Sequence, residues 1–153
     1  MHNPCSVMAA VAFVHKYQKD AELLAKQLDI PTENILGLAA HESQYGAGRI
    51  ARECNNFFSM HAPAPLQMGE ESAKGNTRIK VAKFSSFYQS GQSFIIKFGH
   101  GVKGKKDSDV FSKALITMHY NSGSAANGGR DGYAKLVKDA IAMVKARMSC
   151  PAQ

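Results

Sequence analysis

The chain has 153 residues, 44% of them apolar, with 19 Lys and Arg against 12 Asp and Glu and a formal net charge of +7. That is enough for one domain with its own core, and the positive balance favours an anionic partner. No run of about 18 apolar residues offers a membrane span, and the scattered basic residues, densest at Lys103, Lys105 and Lys106 before Asp107 and Asp109, make no nucleic-acid-binding motif.

Met1 to Ala12 has no basic segment ahead of its short apolar stretch, so no secretory leader is expected. Ala10, Phe13, Val14, Tyr17, Ala21, Leu24, Ala25 and Leu28 keep a helical period, which predicts a helix from Ser6 to Asp29. Ile30-Pro31 breaks it, and Thr32 is placed to cap a second helix reaching about Tyr45. On that helix Ile35, Leu38, Ala39 and Glu42 fall at i, i+3, i+4 and i+7 and share one face. Burial disfavours the charged form of a carboxyl, and a carboxyl that keeps its proton is what a general acid requires. The blander alternative is a partly exposed glutamate paired with His41 or Arg49. Gly46 and Gly48 end the helix, and a short helical turn is expected over Ile50 to Cys54.

From Asn55 to Phe84 the helical period lapses. Pro63, Pro65, Gly69 and Gly75 punctuate the stretch, and Arg78 to Phe84 (RIKVAKF) alternates like a strand. This predicts a small β-hairpin lobe over about residues 57–88, inserted after the helix that carries Glu42. Glu70 and Glu71 lie in it, in what reads as a Gly-bounded turn; they are the carboxylates available for a second catalytic role, or simply solvated. Helices are expected over Ser90 to Gly101, over Ser108 to Tyr120 with Asp107 or Ser108 as cap, and from Arg130 or Asp131 to about Met148. Asn121 to Gly129 (NSGSAANGG) reads as a flexible loop. Tyr120 and Asn121, where a helix opens into it, suit ligand contacts, or a helix C-cap with Asn121 left-handed. Tyr133 on the last helix, beside Leu136 and Val137, reads as a core aromatic. The expected fold class is mainly α, in the α+β sense: a single domain over residues 1–153 with a hairpin lobe, and a cleft between the lobes where the Glu42 helix ends.

Cys5, Cys54 and Cys150 are too few and too dispersed for a zinc motif. The mirrored settings Pro4-Cys5 and Cys150-Pro151 make a Cys5–Cys150 disulfide the first expectation, with Cys54 left free; three reduced thiols is the alternative. A bridge would imply an oxidising compartment. His41, His61, His100 and His119 have no metal spacing, so neither metal nor cofactor is expected.

Four segments in order resemble glycoside hydrolase family 73, the bacterial glucosaminidases. Ala39 to Gly46 (AAHESQYG) is similar to its ALESGWG-type motif, and Asn55-Asn56-Phe57-Phe58-Ser59-Met60 to its NNLFGIK segment. Phe84 to Phe94 (FSSFYQSGQSF) is similar to its Y-x-S-x-x-x-S stretch, and Asp131 to Leu136 (DGYAKL) to its D-P-x-Y-A-x-K-L segment. The resemblance spans roughly residues 32–147. It implies a lysozyme-like fold and cleavage of the β-1,4 bond between N-acetylglucosamine and N-acetylmuramic acid in peptidoglycan. Glu42 matches the family's general acid, Tyr133 a tyrosine near that acid and the sugar, and Asn56 and Phe57 residues of the cleft floor. Tyr45 stands where the family commonly has Trp, which keeps an aromatic for substrate. Ser59 replaces a Gly. His119 to Gly123 looks instead like the A-Y-N-x-G motif of lytic transglycosylases, so a transglycosylase or muramidase outcome stays open, as does a non-catalytic wall-binding module. The group opposite Glu42 is left among Glu70, Glu71, Tyr133 and the substrate's own N-acetyl group. The expected setting is the periplasm or cell wall, reached by a monomer without a signal peptide. A disulfide suits a type VI secretion effector, which would be restrained by an immunity protein in its cleft, slightly better than a phage endolysin.

Overall fold

The computed structural model describes residues 3–73, 76–121 and 129–152. After a 3-10 turn at Pro4–Ser6 come α1 (Met8–Leu28), α2 (Thr32–Ser43) and α3 (Arg49–Cys54). Strands β1 (Gly69–Ala73) and β2 (Asn76–Lys83) follow, then α4 (Phe87–Val102), α5 (Ser108–Thr117) and α6 (Gly129–Met148). The described residues are thus mainly helical with one two-stranded antiparallel sheet, as the sequence predicts. No helix among them is long and apolar enough to cross a membrane. The loop expected over Asn121 to Gly129 lies, from residue 122 to 128, outside the described residues.

Local chemistry sets the boundaries where they differ from expectation. Pro31, not Thr32, occupies the N-cap position of α2, because its ring fixes an extended entry at φ −62°; Thr32 is already helical. Helix α4 begins at Phe87 rather than Ser90. Ser86 accepts from the Gln89 amide, and the Gln89 side chain accepts in return from the Ser85 amide, a near-reciprocal cap. Helix α5 stops at Thr117, and the left-handed residue beyond it is His119 (φ 62°), not Asn121. Glu70 and Glu71 lie on strand β1 itself rather than in a turn. Residues 57–66, expected within the hairpin lobe, run irregularly ahead of it.

Helix α2 is the central element, packed between α1 and α6. Ile35, Leu36, Leu38, Ala39 and Ala40 are fully enclosed, which is why the apolar residues cover more than one face of it. At Gly37 a Cβ would stand 2.7 Å from the Ile141 Cα, so only glycine lets α2 and α6 approach this closely. A second cluster, Phe13, Tyr17, Phe57 and Phe87, cements α1 and α4 to the segment leading into the hairpin.

Candidate active site

Glu42 sits in the last turn of α2, half-buried rather than enclosed like the stripe before it. One turn on from Gly37 along α2, and two turns back from Ile141 along α6, the close helix pair brings Tyr133 to it. The Tyr133 hydroxyl donates to Glu42 Oε2 at 2.7 Å, while the ring is 1% exposed and meets the His41 ring edge-on. Burial, the Glu42 charge and this hydrogen bond together push the Tyr133 phenol far above its usual range. Tyr120 is raised as well, by burial first and then by the Glu42 and Tyr133 charges. Its hydroxyl donates to the Phe58 carbonyl at 2.6 Å. Both phenols are therefore fixed donors at neutral pH, and the end of α2 and the first turns of α6 meet at Glu42. Arg49, one of the alternative partners of Glu42, is engaged elsewhere: it reaches the Glu53 carboxylate and the Ser72 carbonyl, tying α3 to β1.

Glu42 opens onto a cavity of about 270 Å³ that Gln44, Arg49, Asn56, Ser59, His61 and Val81 also line. The hairpin supplies its far wall. Val81 on β2 is paired with Glu71 on one side and bridges His61 on the other. Directly opposed residues of antiparallel strands point to the same face, so Glu71, Val81 and His61 form one row on the cavity side of the sheet. Glu70 is paired with Ala82 and belongs to the other face. Neither carboxylate lines the cavity itself, and Glu71 contacts Lys83 at 3.4 Å.

The remaining expected site residues fall in two groups. Asn56 lines the cavity, but its amide is spent on the backbone: Nδ2 donates to the Met60 and Ala82 carbonyls and Oδ1 accepts from the Met60 amide. It holds the segment in place. Phe57 is 4% exposed and belongs to the aromatic core, not to the cavity wall. The Tyr45 hydroxyl accepts from Arg147 at 2.6 Å and its ring packs on Phe13, away from that wall. Asn121 lies four residues past the end of α5, next to Tyr120. Cys5 and Cys150 form a disulfide, and Cys54 is free and buried.

Sequence reasoning missed His61, Arg49 and Ser59 as cavity residues. In the sequence His61 offers no signal beyond its lack of a metal spacing. Ser59 carried a usable signal: it is left-handed at φ 51°, at the position where the resembled motif has Gly.

The family model described as mannosyl-glycoprotein endo-beta-N-acetylglucosaminidase matches residues 18–146. A chain from a type VI secretion system effector–immunity complex of Pseudomonas protegens is 53% identical; the match covers 96% of this chain and 99% of that one, with a TM-score of 0.87. A peptidoglycan hydrolase from Sphingomonas sp. A1 is 20% identical, with 94% and 98% covered and a TM-score of 0.71. The glycoside hydrolase domain of Salmonella typhimurium FlgJ, truncated at its C-terminus, is 21% identical, with 90% and 98% covered and a TM-score of 0.66. These last two share the lysozyme-like fold. No curated protein matches the chain.

Proposed function

The chain belongs to the glucosaminidase family and is a glycoside hydrolase, and from that premise we propose that it cleaves the glycan strand of peptidoglycan with Glu42 as general acid. The observation that carries this reading is the 2.7 Å contact from Tyr133 to Glu42 Oε2 at the edge of the cavity. The phenol fixes one oxygen of the carboxyl, and Glu42 delivers its proton from the other to the glycosidic oxygen as the bond breaks. The developing oxocarbenium-like centre then needs a second group. Glu71 is the carboxylate whose strand register supports that role. In an inverting reaction it would act on a water across a gap of roughly 6.5–9.5 Å; the substrate's own N-acetyl oxygen is the alternative nucleophile. The scissile bond is the β-1,4 linkage between N-acetylglucosamine and N-acetylmuramic acid. The position of Tyr120, in the segment similar to transglycosylases and within electrostatic reach of Glu42, keeps one second reading: closure of a 1,6-anhydro ring in place of attack by water.

Relatedness at 53% identity to a chain of an effector–immunity complex supports an antibacterial role. The protein is read as a type VI secretion effector acting in the periplasm of a neighbouring cell, restrained in its producer by an immunity protein that fills the cleft. A disulfide suits that compartment.

Glu42→Gln is expected to lower the rate of glycan release from purified peptidoglycan by about 10²–10⁴-fold. Mass spectrometry of the products reads the bond: reducing N-acetylglucosamine ends support the proposal, and anhydro-muramic ends support the second reading. Undiminished activity in the variant would remove Glu42 from the mechanism. Directed to the periplasm, the wild-type chain should lyse cells, and co-expression with its immunity partner should prevent this.

A further inference from the structure

The backbone turn after Glu42 is held from outside. Gln44 (φ 48°), Tyr45 (φ 53°) and Gly46 (φ 80°) are left-handed in succession, and the first two are residues that adopt this conformation only at a cost. Local bonds account for part of the restraint: the Tyr45 amide donates to the Ala40 carbonyl and the Gly46 amide to Ser43 Oγ. The long-range restraint comes from Arg147 near the end of α6. Arg147 is 5% exposed, and its guanidinium grips two segments at once. Nη1 donates to the Tyr45 hydroxyl at 2.6 Å, with the guanidinium carbon 5.1 Å from the centre of the Tyr45 ring. Nε donates to the Pro4 carbonyl at 3.1 Å. Pro4 precedes Cys5, and Cys5 is bonded to Cys150, one helical turn past Arg147. His15 adds a 2.7 Å contact to the Cys150 carbonyl.

We infer that Arg147 and Tyr45 are positioning residues for Glu42, and that the Cys5–Cys150 disulfide makes turnover conditional on oxidation. The inference rests on the reading of Glu42 as general acid. Two thiols become the disulfide by giving two electrons and two protons to a disulfide oxidant through thiol–disulfide exchange. While they are reduced, nothing covalent keeps the Pro4 carbonyl over the guanidinium. A buried guanidinium that loses an acceptor moves to find another, Tyr45 loses its donor, and the last turn of α2 frays. Glu42 then leaves the Tyr133 hydroxyl. Displacement of a catalytic group by about 1 Å is enough for large rate losses. Val81 on the hairpin and His61 beside it stand outside this chain of contacts, so, Gln44 apart, the cavity wall that meets substrate is retained.

The experiment compares oxidised protein, dithiothreitol-reduced protein, Tyr45→Phe and Arg147→Lys at a temperature where circular dichroism shows all of them folded. Reduction should lower kcat on peptidoglycan at least tenfold with KM within about twofold, and re-oxidation by oxidised glutathione should restore it. Tyr45→Phe, which keeps the ring and loses the acceptor, should lower kcat in the oxidised protein and cost nothing further in the reduced one, because both changes cut the same connection. Arg147→Lys, which keeps the charge and loses the fork, should behave likewise. Hydrogen exchange gives a readout that needs no substrate: the amides of residues 43–46 should exchange at least tenfold faster on reduction. Unchanged exchange and kcat, or losses that multiply independently, would overturn the coupling. Faster exchange in a protein that releases nothing from peptidoglycan even when oxidised would uphold the coupling and overturn the substrate.

Discussion

Tyr133 shows how one hydroxyl serves both chemistry and folding. Its ring is core and its oxygen is site, which is why the sequence supported either reading until the resemblance favoured the second. Tyr133→Phe keeps the ring and removes only the donor to Glu42. We expect kcat to fall roughly 10- to 100-fold, within the range of a lost positioning contact, with KM little changed, as steady-state kinetics will read. The same residue ties stability to pH. An unfolded phenol titrates near 10, whereas burial and the Glu42 charge hold the folded one far above that. The folded state therefore keeps a proton that the unfolded state releases, so this contribution is intact below about pH 10 and is lost as pH rises beyond it. Denaturant midpoints measured from pH 8 to 11 should fall less steeply in Tyr133→Phe than in the wild type. An identical slope would show that the buried phenol is not part of the alkaline transition. Glu42 and Tyr133 both stood out in the sequence by motif. Their contact did not, because it joins residues 91 apart in the chain through helix packing.

Strand register separates two glutamates that sequence alone leaves equivalent. Glu71 shares the cavity side of the sheet with Val81 and His61, and Glu70 faces away with Ala82. Glu71→Gln is expected to reduce glycan cleavage at least tenfold, and Glu70→Gln to leave it within about twofold. The exposed Glu71–Lys83 contact is worth about 0–1 kcal/mol, so a loss of rate in Glu71→Gln cannot be ascribed to unfolding. Equal effects of the two changes would leave the sheet face without a catalytic role and favour the substrate's own N-acetyl oxygen. Elements of this kind were visible as patterns: apolar period gave α1 and α2, and the alternation of RIKVAKF gave β2. Their ends were not visible, because ends depend on single hydrogen bonds such as Ser86 to the Gln89 amide, and on the fixed φ of Pro31. The places of Arg49, His61 and Ser59 in the cavity escaped notice for a related reason. They gain meaning only when the irregular stretch before the hairpin folds back over α3.

At the scale of the whole molecule, the Cys5–Cys150 bond closes nearly the entire chain into one loop, with a sequence separation of 145. Removing so long a loop closure from the unfolded ensemble is worth on the order of 4–5 kcal/mol. For a chain of this size that corresponds to a melting temperature roughly 10 °C higher in the oxidised than in the reduced protein, which scanning calorimetry with and without reductant will measure. A shift below about 2 °C would show that the 3-10 turn and α6 stay together without the bond. The third cysteine bears on how that bond is reached. Three thiols allow three pairings, and two of them would trap Cys54 in a misfolded chain. Cys54 is 1% exposed, and its thiol is pushed upward by burial first and by the Glu71 charge next. Once the core around α3 has formed, that sulfur is both out of reach and short of the thiolate that exchange requires. Packing therefore proofreads oxidation. A chain that meets an oxidant after its core has formed has one pairing left, and a chain oxidised too early can still be corrected while Cys54 remains accessible.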